Sequence, residues 1–211
     1  MMAAEVIDGA SVDAPAGSVT LVLGPMFAGK TSELRRRIEA HARCGLRAVL
    51  VRPARDDRGS ADAPLFTHRG DVLDESLAAN VTVQRVETLA DVALSGTDGL
   101  VAVDEGQFFG DLAGTIRRWA DGGRTVVVAA LNGKSDRSDW RAVGEALAEA
   151  DAIEHLTAVC MRCRRPDRPA IFSALKGGGA AGVLIGGKEL YEATCRSCAG
   201  GSPAVAKNDP G

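Results

Sequence analysis

The sequence predicts an α/β fold, a mostly parallel sheet followed by a small second domain. Three observations predict it. Short apolar runs at 18–23, 46–51, 81–86, 100–103 and 125–131 alternate with stretches of helical periodicity. A parallel sheet produces that alternation, because each crossover between its strands uses a helix. The first run opens into a glycine-rich turn that leads directly into a helix. Past about residue 153 the character changes: cysteines come in pairs, glycines interrupt at 177–179 and 186–187, and no long periodic helix fits.

The 211 residues suit one good-sized domain plus a small appendage. With 45% apolar and 25% charged residues, the chain can bury an ordinary core. A net charge of −3 gives no electrostatic footprint for a nucleic-acid backbone, so no nucleic-acid partner is expected. No run of 18 apolar residues exists, so no membrane association is expected. The first five residues lack the basic and apolar regions of a secretory signal. Five cysteines include two Cys-x-x-Cys pairs, which in a leaderless chain favours metal over disulfides and a cytoplasmic location. The expected organisation is a loose leader at 1–17, a main domain at 18–152, a cysteine-bearing domain at 153–199 and a disordered polar tail at 200–211.

In order along the chain, 18–23 reads as a buried strand of Val, Thr and Leu, and a helix runs from about 30 to 44. Leu34, Ile38 and His41 with Ala42 mark one face of that helix, and Arg35, Arg36, Arg37 and Glu39 occupy a solvated remainder. Residues 46–51 form a second strand, and 52–70, rich in Pro, Asp, Arg and Gly, a long loop. A strand at 81–86 precedes a helix near 87–94. The strand at 100–103 ends in an acidic pair, 111–120 is helical, 125–131 is a strand, and 141–149 is helical after a polar loop.

Gly24, Pro25, Met26, Phe27, Ala28, Gly29, Lys30 and Thr31 spell the phosphate-loop pattern Gly-x-x-x-x-Gly-Lys-Ser/Thr, after a strand and before a helix. The two glycines allow successive N–H groups to turn inward around phosphate oxygens, and the helix N-terminus adds positive potential. In that arrangement Lys30 reaches the β- and γ-phosphates of ATP and the Thr31 hydroxyl ligates magnesium. Asp104 and Glu105 follow an apolar strand at the edge where ligands of open α/β sheets bind. Asp104 is positioned to hold Mg²⁺, and Glu105 to take a proton from an attacking oxygen. The motif leaves water and a substrate hydroxyl both open as that oxygen, an ATPase in the first case and a kinase in the second.

Cys160, Cys163, Cys195 and Cys198 form two knuckles of the kind that bind zinc. Four sulfurs leave no open coordination position, so the zinc is read as structural, and the long stretch between the knuckles as a projecting loop. Cys44, alone at a helix end, is read as a small core residue. His41 and His155 lie in no motif.

These pieces together resemble the type II thymidine kinase family. The matching stretches are Leu23-Gly-Pro-Met-Phe-Ala-Gly-Lys-Thr31, Asp104-Glu-Gly-Gln-Phe-Phe109, Val127-Val-Ala-Ala-Leu-Asn-Gly133, Leu156-Thr-Ala-Val-Cys-Met-Arg-Cys163, Ile185-Gly-Gly187, and Tyr191 through Cys195-Arg-Ser-Cys198. They keep the family order and span most of the chain. The resemblance implies a RecA-like P-loop core and a small zinc-binding lasso domain, with transfer of the ATP γ-phosphate to the 5′-hydroxyl of thymidine. It implies Glu105 as general base and Lys30, Thr31 and Asp104 as phosphate and magnesium residues. It further implies that the lasso closes over the nucleoside and that Tyr191 lies beside the base. Met26, Leu131, Ser173, Leu184 and Gly187 match nucleoside-binding positions. The partners implied are ATP and a pyrimidine deoxynucleoside, with a homotetramer or homodimer and feedback by dTTP. Arg69 and His68 match a flexible lid, and a solvated loop charge is the equal alternative for Arg69. Phe108 and Phe109 fit the motif, and packing is their ordinary use.

Two departures stand out. The family's Pro-Phe-Gly element is absent from 134–141, where Trp140 is the available aromatic and Ser135 occupies or adjoins a family aromatic position. The lasso is Gly- and Ala-rich over 176–182, which raises the entropy lost when it orders. They leave deoxyuridine or another pyrimidine nucleoside open as substrate. A RecA-like ATPase and a non-catalytic zinc module remain the competing readings.

Overall fold

The computed structural model describes residues 17–54, 75–177 and 189–200. Its centre is a six-stranded sheet, all pairings parallel, in the order β3-β2-β4-β5-β1-β6. In chain order the elements are β1 (Ser18–Gly24), α1 (Lys30–Arg43), β2 (Arg47–Pro53), β3 (Val81–Val86), β4 (Asp98–Val103), α2 (Leu112–Asp121), β5 (Thr125–Leu131), α3 (Arg141–Ala146) and β6 (Ala152–His155).

The strands read as continuous apolar runs because both faces of the sheet are covered. On one face Leu34 and Ile38 of α1 pack on Val22, Ala48, Leu50, Leu100, Ala102, Val127 and Ala129. On the other, Leu112, Ile116 and Trp119 of α2 and Val143 and Ala146 of α3 pack on alternate residues of the same strands, among them Leu21, Val51, Val103 and Val128. This is the three-layer arrangement the alternation of strands and helices predicts.

Four local expectations change. The helix expected near 87–94 is one 3-10 turn, Leu89–Asp91. The amides of Leu89 and Ala90 donate to the Asp111 carboxylate at 3.2 and 2.9 Å, so a tertiary hydrogen bond holds the turn rather than helical propagation. β2 runs on to Pro53, which takes Arg52 out of the expected loop. Cys44 is exposed at the C-terminus of α1 and is no core residue, since the buried stripe of that helix ends at Ala42. Arg35 and Arg37 are largely covered, paired with Glu39 and with Glu33 and Glu154, while Arg36 faces solvent.

The boundary expected at 152/153 falls inside β6, which pairs with β1. The change of character follows that strand. Beyond it lie β7 (Ala158–Val159), β8 (Pro169–Ala170), β9 (Phe172–Leu175), β10 (Tyr191–Thr194) and the short helix α4 (Arg196–Gly200). β7 pairs with β8 and β9 with β10, each antiparallel. Their small core is Cys160, Ala170, Ala193 and Cys195. So little apolar surface cannot stabilise a unit by itself, which makes the sulfur cluster the natural staple. Among the described residues no helix is long and apolar enough to cross a membrane.

Candidate active site and metal centre

β5 pairs with β4 on one side and β1 on the other, so the carboxyl ends of these three strands lie side by side. Gly24, the last residue of β1, is in register with Leu131, the last of β5. β4 ends at Val103, opposite Val128. The glycine-rich turn, Leu131 and the acidic pair thus converge on one edge of the sheet.

The phosphate loop has the backbone its sequence requires. A Cβ on Gly24 would stand 2.5 Å from the Leu156 carbonyl oxygen, so only glycine fits where β1 passes the chain leaving β6. Gly29 adopts φ 88°, a left-handed conformation that delivers the chain into α1, and Phe27 is left-handed as well at φ 66°. The turn of the loop and the first turn of a 14-residue helix form a concavity suited to anions. Lys30 is buried, and its Nζ donates to the Pro25 carbonyl at 2.8 Å.

The acidic pair stands beside this loop. Asp104 is buried; its amide donates to Val51 O at 2.9 Å, and its carboxylate accepts from the Glu105 amide at 3.0 Å. Thr31 Oγ1 lies 3.3 Å from both carboxylate oxygens of Asp104. A hydroxyl and a buried carboxylate at that separation are the two oxygen donors a magnesium ion takes from a phosphate-loop protein. Arg52 Nη2 approaches Asp104 Oδ2 at 3.7 Å, and both side chains are buried. Glu105 is left-handed, φ 53°, at the turn out of β4, and Gln107 Nε2 donates to its Oε2 at 2.5 Å. The same Gln107 accepts from the Leu131 amide at 3.0 Å.

The cysteine-bearing unit touches this edge. Met26 N donates to Ser173 Oγ on β9 at 2.9 Å, and Phe27 packs against the cysteine cluster. Asn132, next after Leu131, donates to Ile171 O at 3.0 Å. The guanidinium groups of Arg137 and Arg196 both stack over Phe172, 4.6 and 5.2 Å from its ring centre. Met26, Leu131 and Ser173 are therefore brought to one region. Tyr191, buried, stands on β10 beside β9. Leu184 and Gly187, like His68 and Arg69, lie outside the described residues. Phe109 is core, and Phe108 stands edge-on to Trp140 at 5.7 Å between ring centres.

The four sulfurs of Cys160, Cys163, Cys195 and Cys198 lie within 4.8 Å of one another, with no disulfide among them. Tetrahedral zinc with Zn–S bonds of about 2.3 Å needs sulfurs about 3.8 Å apart. The Cys163 and Cys195 sulfurs are 3.8 Å apart. Burial opposes the Cys160 thiolate, but N–H groups of Cys163, Cys195 and Arg162 donate to it and hold its pKa down to about 6. Burial and the three neighbouring sulfurs push Cys198 up to about 12. Four cysteine sulfurs so close together are a donor set suited to one zinc ion. Arg162 ties the two knuckles together, donating to Glu192 at 2.7 Å and to Cys198 O at 2.8 Å.

Reading the sequence missed Arg52, Gln107 and Asn132. Arg52 is a cation ending an apolar strand, a signal hidden by the loop-like residues after it. Gln107 and Asn132 lay within the quoted motifs, but their partners are far along the chain.

A family model described as thymidine kinase matches residues 17–199. The thymidine kinase of Vaccinia virus (strain Ankara) is 34% identical over 187 residues, covering 88% of this chain and 98% of the viral protein. The thymidine kinase of Monkeypox virus is 33% identical over 183 residues, 86% of this chain and 96% of its own length. That of Variola virus is 32% identical over 182 residues, with the same coverage of 86% and 96%.

Proposed function

This chain belongs to the thymidine kinase family, and on that premise we propose how the residues at the sheet edge divide the work. The reaction is transfer of the γ-phosphate of ATP to the 5′-hydroxyl of thymidine, giving dTMP and ADP in nucleotide salvage. Glu105 takes the proton of that hydroxyl. Gly24 to Thr31 hold the triphosphate through loop amides and Lys30, which meet the charge spread over the transferring group. Thr31 and Asp104 would hold magnesium, which neutralises phosphate charge when bound. Met26, Leu131, Ser173 and Tyr191, with Leu184 and Gly187, line the nucleoside site. Cys160, Cys163, Cys195 and Cys198 hold structural zinc, and the zinc-bearing unit covers the site so that the sugar hydroxyl attacks and water does not. A cytosolic homotetramer or homodimer completes the proposal.

The observation that carries this reading is the position of Glu105. Its carboxylate lies one residue past Asp104, on the edge shared with the phosphate loop, and accepts a hydrogen bond from the neutral amide of Gln107. A general base needs hydrogen-bond reach to the proton it removes and a pKa that leaves it ionised.

The test is ADP and dTMP formation with Mg-ATP against a panel of deoxynucleosides, for the wild type and Glu105→Gln. Thymidine is expected to give the highest kcat/KM. Glu105→Gln is expected to keep both binding affinities and to lose turnover by a factor on the order of 10² to 10⁴. ATP hydrolysis without nucleoside dependence would reject the kinase reading, and near-normal turnover in the variant would remove Glu105 as base.

A further inference from the structure

We infer that Gln107 is the positioning residue of Glu105, fixing the aim of its carboxylate and tying that aim to the wall of the nucleoside site; the inference rests on Glu105 acting as base. Gln107 is buried, 5% exposed, within the 3-10 turn Gly106–Phe108 that follows β4. A primary amide offers both donors and an acceptor. Here the Nε2 end donates to Glu105 Oε2 at 2.5 Å and the Oε1 end accepts from Leu131 N at 3.0 Å. Leu131 ends β5, which pairs with β1 and β4, so the amide is anchored to the centre of the sheet.

Glu105 has need of such an anchor. Its backbone is left-handed at φ 53°, on a turn held by Phe108 N donating to Glu105 O at 3.0 Å. Three side-chain torsions lie between that turn and the carboxylate, and a hydrogen bond at the end of the side chain restricts them. The donor's chemistry also matters. A lysine or arginine at this position would bind the carboxylate more tightly and lower its basicity, whereas a neutral amide orients it without adding a charge. The bond occupies one of about four lone-pair sites on the carboxylate.

The bond to Leu131 gives the arrangement a second consequence. Leu131 is in register with Gly24, the residue that opens the phosphate loop. A shift of the end of β5, where the nucleoside site is proposed, would be transmitted through one rigid amide to the base. Gln107 thereby couples the fit of the nucleoside to the readiness of the carboxylate.

The experiment compares wild type, Glu105→Gln, Gln107→Met, Gln107→Glu and the double variant Glu105→Gln/Gln107→Met. It measures single-turnover phosphoryl transfer, KM and the thymidine Kd by calorimetry, with thermal melting as a control. Gln107→Met is expected to slow transfer roughly 10- to 100-fold, with thymidine Kd within about threefold of wild type. Gln107→Glu keeps the acceptor for Leu131 but sets a second carboxylate against Glu105, and it is expected to lose at least as much. In the Glu105→Gln background, Gln107→Met is expected to cost nothing further, because the group it positions is already gone. Equal losses in both backgrounds, a loss confined to KM, or near-normal transfer in Gln107→Glu would overturn the inference. Should Gln107→Met fail to fold, Gln107→Glu, which keeps the Leu131 bond, decides the question. Near-normal transfer in Glu105→Gln alone would show instead that the base assignment had failed.

Discussion

Met26 and Ser173, 147 positions apart in the chain, are joined by a hydrogen bond of 2.9 Å from the Met26 amide to the Ser173 hydroxyl. It links the phosphate loop on β1 to the unit built round the four cysteines, and Phe27 packs against those cysteines alongside it. The phosphate loop and the cysteine-bearing unit are thus in direct contact.

Ser173→Ala removes that hydroxyl and leaves the loop amide without its partner. We expect a loss of about 1 kcal/mol in stability, read from the urea midpoint. A rise in thymidine KM should accompany it, because Ser173 is also proposed to line the nucleoside site. An unchanged urea midpoint together with an unchanged KM would separate Ser173 from both roles.

Gly24 and Gly29 are glycines for different reasons, and alanine should distinguish them. At Gly24 the added Cβ meets the Leu156 carbonyl oxygen at 2.5 Å, a backbone atom that cannot swing away. Gly24→Ala should therefore cost about 1 to 3 kcal/mol and displace the chain that follows β6. At Gly29 nothing lies within 4 Å, and only the left-handed φ of 88° resists. Gly29→Ala should cost about 1 kcal/mol. Its main effect should be on ATP affinity, since the strain falls on the turn that presents the loop amides. Equal destabilisation by thermal melting would contradict this division.

The cysteine cluster predicts one zinc per chain by elemental analysis. Cys160→Ser should abolish it, since the Cys160 sulfur is fully buried at the centre of the unit's small core. Binding free energies on the order of 10 kcal/mol for structural zinc make metal loss equivalent to unfolding of the unit that it holds. The six-stranded sheet has its own two-sided core and should still melt cooperatively. A wild-type protein free of zinc would reject the site.

Glu33, in the first turn of α1, is bound by Arg36 and, against burial, also by Arg37; together they hold its carboxyl pKa down to about 2 from 4.5. The folded pKa is the lower one, so the stabilisation is complete above 4.5 and is lost as pH falls through about 2. Glu33→Gln should cost about 1 kcal/mol at neutral pH, the modest value for a partly solvated ion pair. The melting temperatures of variant and wild type should converge as pH falls from about 5 towards 2. A gap that persists unchanged across that range would assign the effect to packing.

Much of the site could be read directly from residue order. The phosphate loop, the acidic pair at a strand end and the two cysteine pairs are runs of neighbours whose chemistry depends on spacing of a few residues. The departures from expectation have tertiary causes. Residues 87–94 form only one turn because the Asp111 carboxylate takes the amides of Leu89 and Ala90. Arg52 looked like loop and is instead the buried end of β2, covered because β2 lies inside the sheet between β3 and β4.

By itself, then, the sequence determined the family, the glycine-rich loop, the acidic pair and the paired cysteines, because each is a local pattern with its own chemistry. Only the tertiary structure decided which strand ends lie side by side. That order, β3-β2-β4-β5-β1-β6, sets Arg52 against Asp104 and Gln107 between Glu105 and Leu131, and the contact of β9 with the phosphate loop joins Met26 to Ser173. The physical reason is that these contacts depend on strand order and the packing of two units, and no spacing along the chain encodes either.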